Sequence, residues 1–291
     1  MPIKVVHTPA MTGEASKATI EAAVAGMPGV VAVHANPSSK VVTVMWSEPQ
    51  AWRAIDAQLT AIGYPSQPLN QIKRHVAIVL YDGFTALDAV GPYEVLVSLP
   101  DTHVHFVADQ HGPVWADTGQ LALHATSTWE ELSHPAVIVI PGGGVGLMQA
   151  AANQRLLAWL KQAHEQSEWT TSVCTGVFLL GAAGLVQGMD VTTHWGSQAA
   201  IAQYCGATYR AERFIQQGKI VTAAGVSAGI DMALFIAAQL SDAATAEAIQ
   251  LACEYDPAPP FHAGNAQQAS SSLIVAANRV IQQYRVNPLE S

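Results

Sequence analysis

The hydrophobic rhythm of the chain changes once, near residue 74, and the two rhythms predict two domains. In residues 2–64, short β-prone runs alternate with helical stretches. IKVVHT reads as a strand. Residues 14–25 carry Ala18, Ala22 and Ala25 beside Ile20 and Val24, the spacing of one helix face. Gly26 and Pro28 break that helix. VVAVHA and KVVTVMW read as strands around a turn at 36–39, and a second helix is expected over 49–62. The order is βαββα with room for a last short strand, which is a ferredoxin-like α+β plan. Its expected core is Ile3, Val5, Ile20, Val24, Val31, Val33, Val42, Val44, Ile55 and Leu59. Polar, proline-containing sequence follows and is read as a linker at 67–73, between domains at 1–66 and 74–291.

Beyond residue 74 the strands become continuous apolar runs: HVAIVLY, HVHFVAD, AVIVI, WTTSV and KIVTAAG. Such runs mark strands buried on both faces of a sheet. Helical stretches alternate with them: PYEVLVSL, residues 154–165, 175–183 and 228–240, the last with Ser227 as N-cap. This alternation predicts a flavodoxin-like, doubly wound sheet. Ligands of such sheets sit at the carboxyl ends of the strands. The chemistry is therefore expected near Asp88, Gly142–Gly144, Cys174 and residues 223–226.

Charge narrows the ligand class. Lys+Arg total 13 and Asp+Glu 22, a net charge of −9. Residues 1–70 hold four of each sign, so the acidic excess lies in the second domain. An acidic body without a basic stripe argues against nucleic acid as a partner. The N-terminus shows no charged segment followed by an apolar run, and no charge-free apolar stretch reaches the ~20 residues that cross a bilayer. A cytoplasmic location is expected, with no membrane partner.

Of the three cysteines, Cys174 is placed for chemistry. It stands where the β-prone TTSV meets the helix-prone TGVFLLGAAG, the position of a nucleophile elbow with a thiol in place of serine. A helix starting there turns free N–H groups and a positive dipole end toward the sulfur, which favours thiolate. Cys205 and Cys253 are read as structural, the usual fate of a free cysteine. Gly143 and Gly144 in PGGG offer backbone N–H groups for an oxyanion-type hole. Taken alone, that motif is also what a plain glycine turn looks like. Asp88 is either a helix cap or an acid set beside the thiol. His194, at the end of a strand in VTTHWG, is an auxiliary candidate base or a structural histidine.

Several stretches in residues 74–285 resemble the PfpI superfamily, which has the class I glutamine amidotransferase-like fold: LDAVGPYEVLVSLPD, VIPGGGVG, TSVCTGVFLLGAAGLVQG, TTHWGS, GVSAGIDMAL and DAATAEAIQLACEYDPAPPF. The last of these, with the Leu-Asp pair at 87–88, is most similar to the isonitrile hydratase branch, in which the acid is Asp where many relatives carry Glu. The resemblance implies Cys174 as nucleophile, Asp88 as its acid/base partner, Thr175 as a polar neighbour, a small apolar isonitrile with water as substrates, and a homodimer. It implies hydration to an N-substituted formamide through a thioimidate on Cys174, with no cofactor. Two other readings stay open on the same scaffold: a glyoxalase-like or deglycase enzyme, and a cysteine-based redox or ligand sensor without a DNA-binding module.

Residues 2–64 resemble a heavy-metal-associated domain through AMTGEAS, MPGV, VVTVMW and IGYP. That family binds Cu(I) through Cys-x-x-Cys; here those positions are Gly13 and Ser16. No metal is expected, since His7 and Met11 make at best a weak remnant site.

Overall fold

A computed structural model describes residues 1–48, 52–67 and 74–284. The chain divides into two compact units: Met1–His75 with Val97–His103, and Val76–Leu96 with Val104–Ser291. Within the first unit, the Asp101 carbonyl accepts the Arg74 N–H at 3.2 Å. Apart from Gln67, the linker expected at 67–73 lies outside the described residues, as does the start of the second helix at 49–51.

The first unit contains β1 (Ile3–His7), α1 (Glu14–Ala25), β2 (Val30–Asn36), β3 (Val41–Trp46) and α2 (Trp52–Ala61). The sheet order is β1-β3-β2, all antiparallel. The last short strand is reduced to one bridge, His7 with Gln67. Ile20, Val24, Val42, Val44, Ile55 and Leu59 form the core as expected, with Val33 packed against it. Two strands differ in phase. In β1 the enclosed side chain is Val6, with Ile3 and Val5 only partly covered. In β2 the pairing shifts register between Val30 and Ala32, and Val31 is turned out to solvent, 52% exposed. Adjacent valines at 5–6 and 30–31 leave a period-2 pattern without a fixed phase, and one bulged residue moves its side chain to the other face.

The second unit is built on a seven-stranded sheet. Its elements in chain order are β4 (Arg74–Val79), α3 (Ala86–Leu96), β5 (Thr102–Ala108), β6 (Gly112–Trp115), β7 (Ala122–Ala125), β8 (Ser127–Thr128), β9 (Val137–Ile140), α4 (Val145–Ala152), α5 (Gln154–Gln166), β10 (Trp169–Val173), α6 (Val177–Ala182), β11 (Asp190–Val191), α7 (Ile201–Cys205), β12 (Thr208–Tyr209), β13 (Phe214–Gln217), β14 (Ile220–Ala223), α8 (Ala228–Leu240), α9 (Ala243–Ala252) and α10 (Ser271–Tyr284). The order β13-β14-β10-β9-β4-β5-β8 is that of a doubly wound sheet. β4, β9, β10 and β14 pair in parallel, and every residue of β9 and β14 is buried, as their apolar runs require.

The chain leaves β4 for β5 on one side and returns to β9 on the other. The switch point, and with it the expected ligand crevice, lies between β4 and β9. The loops after these strands are tied together there: Phe84 bridges Gly143, and Thr85 N–H donates to the Gly142 carbonyl at 2.8 Å.

Ser227 stands at the N-cap of α8, but its hydroxyl accepts from Arg213 at 3.2 Å and makes no capping bond. The helix expected over 175–183 starts later, because a 3-10 turn at Cys174–Gly176 precedes α6.

Candidate active site

Cys174 is fully buried and has φ of +58°, a left-handed conformation that non-glycine residues seldom adopt. Neighbours on both sides hold it there. Its N–H donates to the Ala224 carbonyl at 3.0 Å, beyond the end of β14. Its carbonyl accepts the Thr193 hydroxyl at 2.8 Å. Two residues on, Gly176 is pressed against β9, and a Cβ there would lie 2.2 Å from the Ile140 carbonyl oxygen. This is the sharp strand-to-helix turn of a nucleophile elbow.

Asp88 lies in the first turn of α3 and is fully buried. Its Oδ2 accepts the Gly142 N–H at 2.9 Å. Thr175 grips the next residue: its Oγ1 accepts the Gly143 N–H at 2.9 Å and donates to the Gly143 carbonyl at 3.0 Å. The three groups converge on one point, since a Cβ at Gly142 would stand 2.6 Å from Thr175 Oγ1, 2.7 Å from Thr175 N and 2.9 Å from Asp88 Oδ2. Tyr81 fixes the same loop by donating to the Pro141 carbonyl at 2.8 Å. Asp88, the glycine loop and the residue after Cys174 are thus brought together from α3, β9 and β10, elements distant in sequence.

Two expectations change. The N–H of Gly143, one of the two expected oxyanion donors, is engaged by Thr175, because the loop wraps the threonine side chain. Gly144 serves as the N-cap residue of α4. His194 caps a 3-10 helix, Trp195–Ala200, and its Nδ1 accepts the Gly196 N–H at 3.2 Å. That bond requires the neutral ring with its proton on Nε2. The ring also packs against Gly225, where a Cβ would lie 2.6 Å from its Cδ2.

Thr193 carried no sequence signal of its own, and Ala224 and Val226 only their place at the end of a strand. Thr193 and Ala224 clamp the Cys174 backbone, and Val226, next to Gly225, is a second non-glycine residue at positive φ, +25°. In the TTH triplet the histidine draws attention by its chemistry, while the threonine before it makes the contact.

Cavities lie beside the elbow. One of about 400 Å³ is lined by Gly143, Gly144 and Thr175 and walled by Leu147, Met148, Phe178 and Tyr204. Among the described residues, no charged side chain lines it. Another, of about 470 Å³, includes Thr193, His194, Ala224 and Val226, with Glu212, Arg213 and residues 264–267 of the C-terminal segment.

The other cysteines are placed differently. Cys205 is buried against Gly181, and burial pushes its thiol up to about 11. Cys253, expected as a buried structural cysteine, is exposed just past the end of α9. In the first unit, Ser16 is buried with its hydroxyl bonded to Thr12, and Met11 is part of the hydrophobic core. Burial lowers the His7 imidazole below its ordinary value.

Comparison with known proteins agrees with this architecture. The DJ-1/PfpI family model matches residues 74–239 and the heavy-metal-associated domain model residues 5–65. An isonitrile hydratase of Pseudomonas putida is 40% identical over 205 residues, covering 70% of this chain and 88% of that protein. The HTH-type transcriptional regulator GbdR of Pseudomonas aeruginosa is 28% identical over 177 residues, which span 47% of the regulator. A crystal structure of a ThiJ/PfpI family protein from Pseudomonas syringae superimposes with a TM-score of 0.68 at 35% identity, covering 73% of this chain and 87% of that one. With a heavy-metal-associated domain at its front, the chain belongs to the DJ-1/PfpI family.

Proposed function

We propose that this protein hydrates a small apolar isonitrile to an N-substituted formamide, with Cys174 as the nucleophile. The observation that carries the reading is the convergence of Asp88, Gly142 and Thr175 at the Cys174 elbow, beside a cavity without charged side chains. The likeness to an isonitrile hydratase supports it. A glyoxalase-like or deglycase enzyme handles a polar dicarbonyl or its adduct, and the uncharged lining favours a neutral apolar substrate instead.

In the proposed sequence the Cys174 sulfur attacks the terminal isonitrile carbon. A C–S bond forms, and a proton from Asp88 reaches that carbon, giving a thioimidate. Water then adds across the C=N bond, with Asp88 taking a proton from the water and passing it to nitrogen, while the second water proton stays on the new hydroxyl. The C–S bond breaks, the carbonyl forms, and the hydroxyl proton returns through Asp88 to the Cys174 and Asp88 pair. Splitting one addition into two steps is covalent catalysis. Nothing is oxidised or reduced, so the sequence requires no cofactor. Asp88 is well situated for both proton steps, being buried and held by the Gly142 N–H. Thr175 keeps the glycine loop in register, and Gly144 rather than Gly143 is assigned the oxyanion-side donor. Purified protein supplied with cyclohexyl isonitrile is expected to release N-cyclohexylformamide, detected by mass. Absence of the formamide, with methylglyoxal consumed instead, would favour the glyoxalase-like reading.

The assignment extends to a cytoplasmic homodimer. Leu251 and Phe261 are exposed, as are Leu273, Val275 and Val280 of α10, an apolar set that a second copy can cover. Light scattering is expected to give twice the chain mass; a monomer at micromolar concentration would reject the dimer.

A further inference from the structure

Two consecutive peptide planes make up the loop after β9, and each is gripped at both ends. In a trans peptide the C=O and N–H point in opposite directions within one plane, so a bond at each end fixes how the plane is turned. The Gly142–Gly143 peptide accepts the Thr85 N–H on its carbonyl at 2.8 Å and donates its own N–H to Thr175 Oγ1 at 2.9 Å. The Pro141–Gly142 peptide accepts the Tyr81 hydroxyl on its carbonyl at 2.8 Å and donates its N–H to Asp88 Oδ2 at 2.9 Å. Both bonds of this second set are buried. Tyr81 follows the end of β4 and is itself buried. Its ring is closely fitted to the loop, since a Cβ at Gly143 would lie 3.1 Å from its Oη and 3.2 Å from its Cε2. Phenol, peptide and carboxyl thus form one chain of hydrogen bonds, from β4 through the glycine loop to α3. In such a chain each bond polarises the next, so a carbonyl that accepts a hydrogen bond makes its own N–H a stronger donor.

We propose that Tyr81 is a positioning residue for the acid: through the Pro141–Gly142 peptide its hydroxyl aims and strengthens the N–H bond that holds Asp88. The proposal rests on the reading of Asp88 as proton donor and acceptor given above. Each proton step needs the carboxyl at a set distance and angle from the reacting atoms, and small misplacements are costly. A carboxyl tied at Oδ2 keeps one orientation only as long as the donor that ties it is itself held. Tyr81 stands outside the linings of both cavities beside the elbow, so its effect falls on turnover rather than on substrate binding.

The test is a double-mutant cycle of Tyr81→Phe, Asp88→Asn and the two combined, with cyclohexyl isonitrile as substrate and formamide followed by mass. Phe keeps the ring and removes only the hydroxyl, so the fold is expected to hold. Tyr81→Phe is expected to lower kcat about three- to tenfold, short of the roughly 10²-fold expected for loss of the acid, with KM changed less than about twofold. In the Asp88→Asn background the same substitution is expected to lower kcat less than about twofold, because members of one hydrogen-bond network are not additive. A role in packing alone would lower kcat by the same factor in both backgrounds. That result overturns the proposal, as does an unchanged kcat in Tyr81→Phe. Amide deuterium exchange supplies a readout that needs no substrate. Exchange at Gly142 in Tyr81→Phe is expected to quicken by at least about tenfold relative to the amides of β9. Unchanged exchange at Gly142 overturns the proposal whatever the substrate. Failure of wild type to hydrate cyclohexyl isonitrile overturns the isonitrile reading instead, and the Gly142 exchange then decides by itself whether Tyr81 holds the loop.

Discussion

At the scale of single residues, the site depends on which groups hold which. Cys174 sits in a left-handed conformation fixed by Ala224, Thr193 and the missing side chain of Gly176. Asp88 and Thr175 each hold one glycine of the loop after β9. These roles predict a ranking. Asp88→Asn keeps the shape and removes the acid, so kcat is expected to fall by roughly 10²-fold or more, the usual scale of general acid–base catalysis. Thr175→Val loses both contacts with Gly143 and is expected to reduce the rate less. His194→Ala is expected to be mildest, because its ring caps a 3-10 helix through Gly196. Steady-state kinetics on the three variants checks the order; a loss in His194→Ala equal to that of Cys174→Ala would point to a Cys-His pair. The elbow cysteine and the glycine loop were legible in the sequence because each is a reactive or turn-forming residue at a strand end, and Asp88 because it is a carboxyl at the start of a helix. The partition of bonds was not. A sequence shows that Gly143 has an N–H, but the Thr175 hydroxyl that takes it arrives from a 3-10 turn 32 residues later.

At the scale of elements, the apolar runs gave the sheet of the second unit, since a strand buried on both faces has no phase to misread. Half-buried strands were harder. Val5-Val6 and Val30-Val31 satisfy either phase, and only pairing with β3 selects Val6 for the core and Val31 for solvent. One strand also carries a titrating group that is partly covered, with one ring nitrogen buried. His103 in β5 has its Nε2 shut away, and burial, with His75 adding to it, pushes the imidazole down to about 3. The folded chain therefore keeps this ring neutral, while the unfolded chain protonates it below about 6.5. A lowered histidine pKa leaves stability intact above the unfolded value and removes it as pH falls toward 3. Thermal melts are expected to drop between pH 6.5 and 4, and His103→Gln is expected to flatten that slope. An unchanged slope would show that other groups govern the acid limb.

At the scale of the whole molecule, the question is what the front domain contributes. Cu(I) prefers thiolate and thioether ligands. At the two positions where the Cys-x-x-Cys pattern would place its thiolates this domain has Gly13, the N-cap residue of α1, and Ser16, which is bonded to Thr12; Met11 is in the core. We propose a structural or interaction module, with domains at 1–66 and 74–291. Titration with Cu(I) against a chelator of sub-micromolar affinity is expected to show no transfer, and stoichiometric uptake would contradict the assignment. A chain starting at Gln71 is expected to retain most of the proposed isonitrile-hydrating activity; a folded but inactive truncation would mean that the front domain completes the site. The sequence disclosed this domain through its motifs, yet the loss of two ligands says only what the module no longer does.

The central claim is a covalent bond between Cys174 and the isonitrile carbon. The most direct measurement is intact-protein mass spectrometry on Asp88→Asn during turnover of cyclohexyl isonitrile, with wild type and Cys174→Ala in parallel. Asp88→Asn slows both proton steps, and because water addition also needs Asp88 as base it is expected to be slowed more than attack, accumulating a species heavier by one molecule of isonitrile, mapped by proteolysis to the peptide containing Cys174. Wild type is expected to yield formamide without accumulating that species, and Cys174→Ala neither. Formamide production by Cys174→Ala near the wild-type rate, or an adduct mapped to Cys205 or Cys253, would contradict the account.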